Sequence, residues 1–239
     1  MLDLIGITAL GAAVALNLNA ILAVLPMAPA QKLTTATLAG LWIGAAVALA
    51  STGIFAATTT PVPVIGLAVA LPLVAAALAA LGSGKVRDAF MGLPLHLLVG
   101  LNIMRSIGAF FLLLALQDRL SGPFPQSAGW GDVVTGVVAI PLTLAIARDP
   151  GGHRGWLLAW NVFGALDLIA ALALGVTSAP GSPLQLFGGA VGSTAVTALP
   201  WAIIPTVLVP FYLILHGVIF ARLAQAGRPA ATHGRMALG

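Results

Sequence analysis

The sequence predicts an all-α transmembrane bundle of seven helices, on three observations. First, the 239 residues are 60% hydrophobic and only 7% charged, with a mean hydropathy of +1.09. A soluble domain is about a quarter charged, so lipid must be the main solvent of this chain. Second, the apolar residues fall into seven runs, each near the roughly 20 residues that cross a bilayer. The runs are continuous rather than alternating, which excludes a β-barrel. Third, the basic residues collect in alternate loops.

Taken in order, the expected spans are Leu4–Leu25, Leu33–Phe55, Val62–Leu81, Leu93–Gln117, Trp130–Ala147, Trp156–Val176 and Trp201–Leu223. With seven spans, Lys32, Lys85, Arg87, Arg148, Arg154, Arg222, Arg228 and Arg235 lie on one side. Arg119 alone lies on the other, and Arg105 falls inside the fourth span. Positive charge marks the cytoplasmic side. The expected topology therefore has the amino terminus outside and the carboxyl terminus in the cytoplasm, in a bacterial inner membrane. Ala28-Pro-Ala30 resembles a cleavage site. Yet Met-Leu-Asp carries no positive charge and the run after it is too long for a signal, so the first span reads as a mature helix. Residues 1–224 form one domain and 225–239 a flexible basic tail.

Composition removes several function classes. Without Cys there are no disulfides, thiolate metal sites or thiol nucleophiles. All six acids are Asp. The pI near 10.8 does not indicate nucleic acid, because the basic residues flank spans. There is no His-Glu-x-x-His, no phosphate-binding Gly loop, and no Lys in the seventh span to hold retinal. Nothing marks an enzyme. The expected partners are the bilayer, and a second copy or another membrane protein through small-residue helix faces.

The loop Asp118–Gly129 reads as a turn-rich cap, and 177–200 as an uncharged Gly-rich surface loop. Two stripes of small residues read as packing faces. One is Thr37, Gly40, Gly44, Ala48 and Ser51; the other is Asp132, Thr135, Gly136, Ala139 and Thr143. Gly40-x-x-x-Gly44 could serve a dimer, but packing within the chain is the commoner use.

The fourth span is the most polar. On an α-helix Asn102, Arg105, Ser106 and Ala109 share one face, which must look inward. The sixth span carries Asp167 at its midpoint, with Asn161 and Gly164 on the same strip. An ionised Asp at bilayer depth costs several kcal/mol unless paired, neutral or hydrated. Arg105 lies at similar depth, so an Arg105–Asp167 pair is expected. Asp167→Asn should then destabilise far more than Asp118→Asn. The seventh span carries Pro205 and Pro210, which free the carbonyls of Trp201 and Thr206. Such carbonyls can bind cations, although a packing kink is the commoner outcome. Pro205, Val209, Tyr212 and His216 share a stripe.

Two other chemistries are legible. His96 and His216 sit at similar depth on different spans and could ligate a b-type haem axially. The nine residues from His96 to Arg105 set the two nearly opposite on an ideal helix, against that reading. Gly129-Trp-Gly-Asp132 matches the Gly-x-Gly-Asp pattern of intramembrane aspartyl proteases, with Asp167 as partner, but in the wrong order. Asp132 at the start of the fifth span would also suit the helix dipole.

Arg105, Gly129-Trp-Gly-Asp132, Trp160-Asn161, Gly164, Asp167-Leu168, Pro180-Gly181, Pro205, Val209-Pro210 and His216 together resemble a group of small, uncharacterised bacterial membrane proteins. The resemblance implies a multi-pass bundle and no particular activity. The expected function is binding or moving a small solute or ion. The site would be Arg105 and Asp167, with Asn102, Asn161, Asp132, Tyr212 and His216 around them and no cofactor. The alternative is a structural or b-haem-carrying subunit of a membrane complex.

Overall fold

The structure is a computed structural model, and it describes residues 1–56, 63–189 and 191–226. The tail expected at 225–239 lies outside them from residue 227 on. Seven helices among the described residues are long and apolar enough to cross a membrane: Leu2–Val24, Pro29–Ser51, Val64–Gly82, Leu95–Leu116, Phe124–Arg148, Arg154–Thr177 and Ile204–Gln225. No strand occurs among the described residues.

Elements are numbered along the chain. The first three spans are α1 (Leu2–Val24), α2 (Pro29–Ser51) and α3 (Val64–Gly82). A short helix, α4 (Gly84–Met91), follows, capped by Ser83, whose Oγ accepts from Val86 N–H at 3.4 Å. Its Lys85, Arg87 and Asp88 kept it out of the sequence reading, which counted only apolar runs. The fourth span is composite: α5 (Leu95–Leu101), a 3₁₀ stretch Asn102–Gly108, and α6 (Ala109–Leu116). Asp118 closes α6 in a left-handed conformation (φ 54°), with Arg119 N–H donating to Leu114 O at 2.9 Å. α7 (Phe124–Arg148) and α8 (Arg154–Thr177) are the fifth and sixth spans. Between them Asp149 closes a tight turn. The N–H groups of Gly152 and Gly151 hold its carboxyl below the usual carboxylate range. The seventh span opens with a π turn, Ile204–Leu208, and continues as α9 (Val209–Ala226).

Two boundaries differ usefully from expectation. The supposed cap Asp118–Gly129 is helical from Phe124 on. Pro125 sits in the first turn, where a missing N–H costs nothing, so Pro here starts a helix. Asp132 therefore lies more than two turns inside α7, not at its dipole end. Among the described residues between Thr177 and Pro200, only Thr194–Thr197 is helical, as 3₁₀. Ser193 there is pinned, its N–H donating to Ser178 O and its hydroxyl to Gly175 O.

The ends of the spans alternate as seven crossings require. At one end Asp3 Oδ1 accepts from Arg119 Nη1 and from Trp201 Nε1, each at 2.8 Å. Ser121 and Gly192 meet at that same end. At the opposite end Lys32 Nζ donates to Ala23 O, Arg154 to Leu223 O and Arg222 to Leu93 O.

The core is built mainly from the last four spans, with Leu10 of α1 and Val69 of α3 packed into it. α7 lies against the fourth span at glycine-sized spacing along its length. A Cβ on Gly129 would strike Leu112, one on Gly108 would strike Asp132, and one on Gly136 would strike Ser106. The Asp132–Thr143 stripe thus packs inward. The α2 stripe does not: Thr37, Gly40, Gly44, Ala48 and Ser51 are all exposed. Its buried side is the one with Ala46 and Ala50. There Trp42 Nε1 donates to Thr206 O at 2.9 Å. That indole contact fixes the rotation of α2 and turns the small residues outward.

Candidate functional site

Three adjacent spans supply the charged groups at the centre of the bundle. The 3₁₀ stretch repeats every three residues, so its inward row is Asn102, Arg105 and Gly108, all buried. The α-helical face expected from sequence held Ser106 and Ala109 instead. Both are only partly buried, because the tighter winding carries them off the row.

Arg105 is 2% exposed and commits four N–H groups. Nε donates to Asp132 Oδ1 at 2.7 Å and Nη2 to Asp167 Oδ2 at 2.6 Å. Nη1 donates to Gly164 O at 3.0 Å and lies 3.1 Å from His216 Nε2. A guanidinium only donates, so Nε2 of His216 must accept. The imidazole proton then sits on Nδ1 and donates to Asn161 Oδ1 at 2.7 Å. Asn161 Nδ2 returns a bond to His216 O at 3.1 Å. These partners define a neutral imidazole of one tautomer, held by Asn161. The Trp160 ring lies 5.3 Å from that imidazole, its Nε1 donating to Thr135 O.

Backbone openings make room for the cluster. A Cβ on Gly108 would sit 2.3 Å from Asp132 Cβ, and one on Gly131 would sit 1.6 Å from Asp167 Oδ1. One on Gly164 would meet the His216 ring at 2.7 Å and Arg105 Nη1 at 3.0 Å. Each glycine stands where a polar side chain from a neighbouring span crosses its helix.

The structure thus brings Arg105, Asp132, Asp167 and His216 into direct contact, with Asn161 one bond further out. Tyr212 joins through its ring, 6.0 Å from the guanidinium carbon. Asn102 does not join: its Nδ2 turns back to Leu98 O at 2.9 Å. Two participants were missed in the sequence. The Gly164 carbonyl carries no side-chain signal at all. Asn17 donates to Tyr212 Oη at 3.0 Å from α1. It follows Gly6, Leu10 and Ala13 on the buried side of that helix, a spacing that could have flagged it.

Charge is the main physical property of the site. One guanidinium faces two carboxylates beside a neutral imidazole, which leaves one negative charge in excess when both acids are ionised. Each carboxylate gives only one oxygen to Arg105. Buried charge of this kind is expensive unless balanced.

The two alternative chemistries fare differently. Of the two haem candidates, His96 is exposed, while both ring nitrogens of the buried His216 are engaged by Arg105 and Asn161. Asp132 and Asp167 do share a site, but a guanidinium holds both of them, whereas an aspartyl dyad shares its proton directly. The proline-freed carbonyls are also accounted for. Trp201 O accepts from Ile204 N–H at 3.0 Å, and Thr206 O accepts from Trp42.

No curated protein and no solved structure matches this chain. A family model does, over residues 62–224, and its span takes in Arg105, Asp132, Asp167 and His216 but neither Asn17 nor Trp42. The match covers more than half of the chain, which therefore belongs to this family, a domain of unknown function (DUF8737).

Proposed function

We propose that the protein binds and moves a small solute or ion across a bacterial inner membrane, with the Arg105–Asp132–Asp167–His216 cluster as its site. The supporting observation is the unequal pairing: two carboxylates on one guanidinium, each with one oxygen left over. Intramembrane charges of this kind commonly mark ion and proton paths. A cation or proton arriving at the free oxygens balances the site, and its departure restores the imbalance. Arg105 offsets the repulsion between the two acids and holds both at the site. Asn161 keeps His216 in the tautomer that accepts from Arg105. The eight-to-one distribution of basic residues supports an amino terminus outside and a carboxyl terminus in the cytoplasm.

The test is flux in proteoliposomes that enclose a pH dye, with a potassium diffusion potential imposed. Wild-type protein should carry protons or the accompanying cation well above empty vesicles. Asp132→Asn and Asp167→Asn should each reduce the rate about tenfold or more, the usual size of a lost charge-assisted contact. Wild-type flux equal to that of empty vesicles, for protons, Na⁺ and K⁺ alike, sinks the proposal.

A further inference from the structure

A cavity of about 400 Å³ lies beside the charged cluster. It runs between α3 and α8, with Val69, Leu73, Leu172 and Val176 among its walls. At one end its lining is hydroxylated, from Ser182, Ser193, Thr194 and Thr197 of the stretch after α8. Deeper in, it meets Leu168, Ile204 and Asp132. Asp132 is the one ionisable side chain on its wall among the described residues, and it is 8% exposed. A smaller adjoining cavity reaches Arg105, Asp132 and Tyr212.

The cavity therefore has apolar walls and a carboxylate at the deep end. One oxygen of that carboxylate is taken by Arg105 Nε. No other hydrogen bond to the side chain is formed among the described residues, and the side chain keeps 12% of its surface free. Pockets of this kind select a ligand by an apolar body and fix it by a few polar groups. With both acids ionised the cluster carries one negative charge in excess, so a cation, rather than an anion or a neutral head, is the complementary group.

We infer that this cavity binds an amphiphile with a hydrocarbon body and a single protonated amine, whose head pairs with Asp132. This deepens the reading of the cluster as a binding site and names the class of ligand that reaches it. The hydroxyl-lined end suits entry from the membrane boundary. The amine then lies against the carboxylate that Arg105 holds in place.

The test uses the full chain in zwitterionic nanodiscs and dodecylamine carrying a photoreactive diazirine on its tail. Crosslinks should map to the cavity walls, at α3, at 168–183 and at 193–209. Excess dodecylamine should suppress them, while dodecanol and dodecanoate, with the same tail, should not. Asp132→Asn should weaken competition by dodecylamine about tenfold to a hundredfold, as expected for one hydrogen-bonded charge pair. Ala171→Trp, which plugs the cavity and leaves the cluster intact, should abolish labelling.

Equal competition by dodecanol means an apolar cleft filled by any lipid tail, and overturns the inference. So do labelling unchanged by Asp132→Asn and crosslinks spread evenly over the exposed faces of α2. The two proposals fail separately. Ion flux that needs Asp132 without amine-specific labelling defeats this inference alone. Acid-dependent labelling without flux defeats only the transport reading.

Discussion

The chain up to residue 56 and the chain from residue 63 onward are equally apolar but structurally unequal. In the hydrophobic stretches of the first and second spans 17% and 11% of residues are buried, against 44% in the fourth and 56% in the seventh. The second half holds every charged member of the central cluster and coincides with the family-defining stretch 62–224. Among the described residues the first half contributes Asn17 and Trp42, each satisfying a polar atom of the seventh span, and Asp3, which accepts from Arg119 and Trp201 at one end. Hydrophobicity alone thus does not distinguish a helix that builds the site from one that encloses it. The difference is made by buried polar atoms, and by the glycines that let them be reached. α1 and α2 act as a jacket around a core that α5 to α9 assemble. Five sets of substitutions would break or sharpen this division.

The largest effect should come from Arg105→Leu. It leaves two buried carboxylates with no counter-charge and removes donors to Gly164 O and His216. Removing one partner of a buried ion pair costs about 3–5 kcal/mol, and here two pairs are lost at once. The folded protein should fail to accumulate, or should melt far below wild type in detergent. By contrast Arg119→Ala, at a partly exposed pair with Asp3, should cost about 1 kcal/mol or less. Similar melting of the two variants would mean that the core is not organised around Arg105.

Next come the aspartates, where the structure revises the sequence expectation. A lone Arg105–Asp167 pair makes Asp167→Asn severe. With Asp132 also on the guanidinium, either single substitution leaves one charge balanced by one. Asp132→Asn and Asp167→Asn should each cost less than about 1.5 kcal/mol, and the double variant about 3–5 kcal/mol, because only the double leaves Arg105 unpaired. Asp118→Asn is the reference: at a left-handed position Asn is at least as well accommodated as Asp. Thermal melts of the four variants decide it, and simple additivity of the two core substitutions would contradict the three-way pairing.

How much of this was legible follows from the kind of signal each feature leaves. Seven spans were readable because a bilayer imposes length and continuity on the residues themselves. Arg105 and Asp167 stood out because charge is conspicuous in an apolar run. Asp132 was visible but misplaced, since Pro125 and the glycines around it read as a loop when they in fact open α7. The inward row of the fourth span was misjudged by assuming 3.6 residues per turn, whereas the chain winds there as 3₁₀. The outward rotation of α2 was hidden because it depends on one long-range bond from Trp42. Small-residue stripes look alike whether they face a neighbour or nothing.

The glycines test that last point directly. Gly108→Ala places a methyl 2.3 Å from Asp132 Cβ, and neither helix can retreat without breaking the Arg105 contacts. Overpacking of this kind costs about 1–3 kcal/mol, and the upper end is expected here. Flux should fall with stability, because Asp132 itself is displaced. A melt within experimental error of wild type would show that α7 and the fourth span are not in close register.

Trp42→Phe should follow, at about 1 kcal/mol. It keeps most of the apolar contact of the indole and removes the donor to Thr206 O. Pro210 cannot replace that donor, so the carbonyl is left bare. The loss should appear in the melting temperature and in accelerated proteolysis between α2 and α3, with the central cluster unaffected. An unchanged variant would mean that the first two spans are held on by lipid-like contacts alone.

The smallest effect should belong to Gly40→Ala and Gly44→Ala. Neither added methyl meets an atom within 4 Å, and both positions are exposed. Ala is favoured over Gly inside a helix by up to about 1 kcal/mol, so a small gain or no change is expected. The same chemical change therefore separates the two halves: harmful where α7 meets the fourth span, harmless on the outer face of α2. If Gly40→Ala or Gly44→Ala lowers the melting temperature as much as Gly108→Ala does, that face of α2 is covered in the membrane. The jacket would then be a contact surface in its own right, and the division between the two halves would lie in what each one touches rather than in how much each one buries.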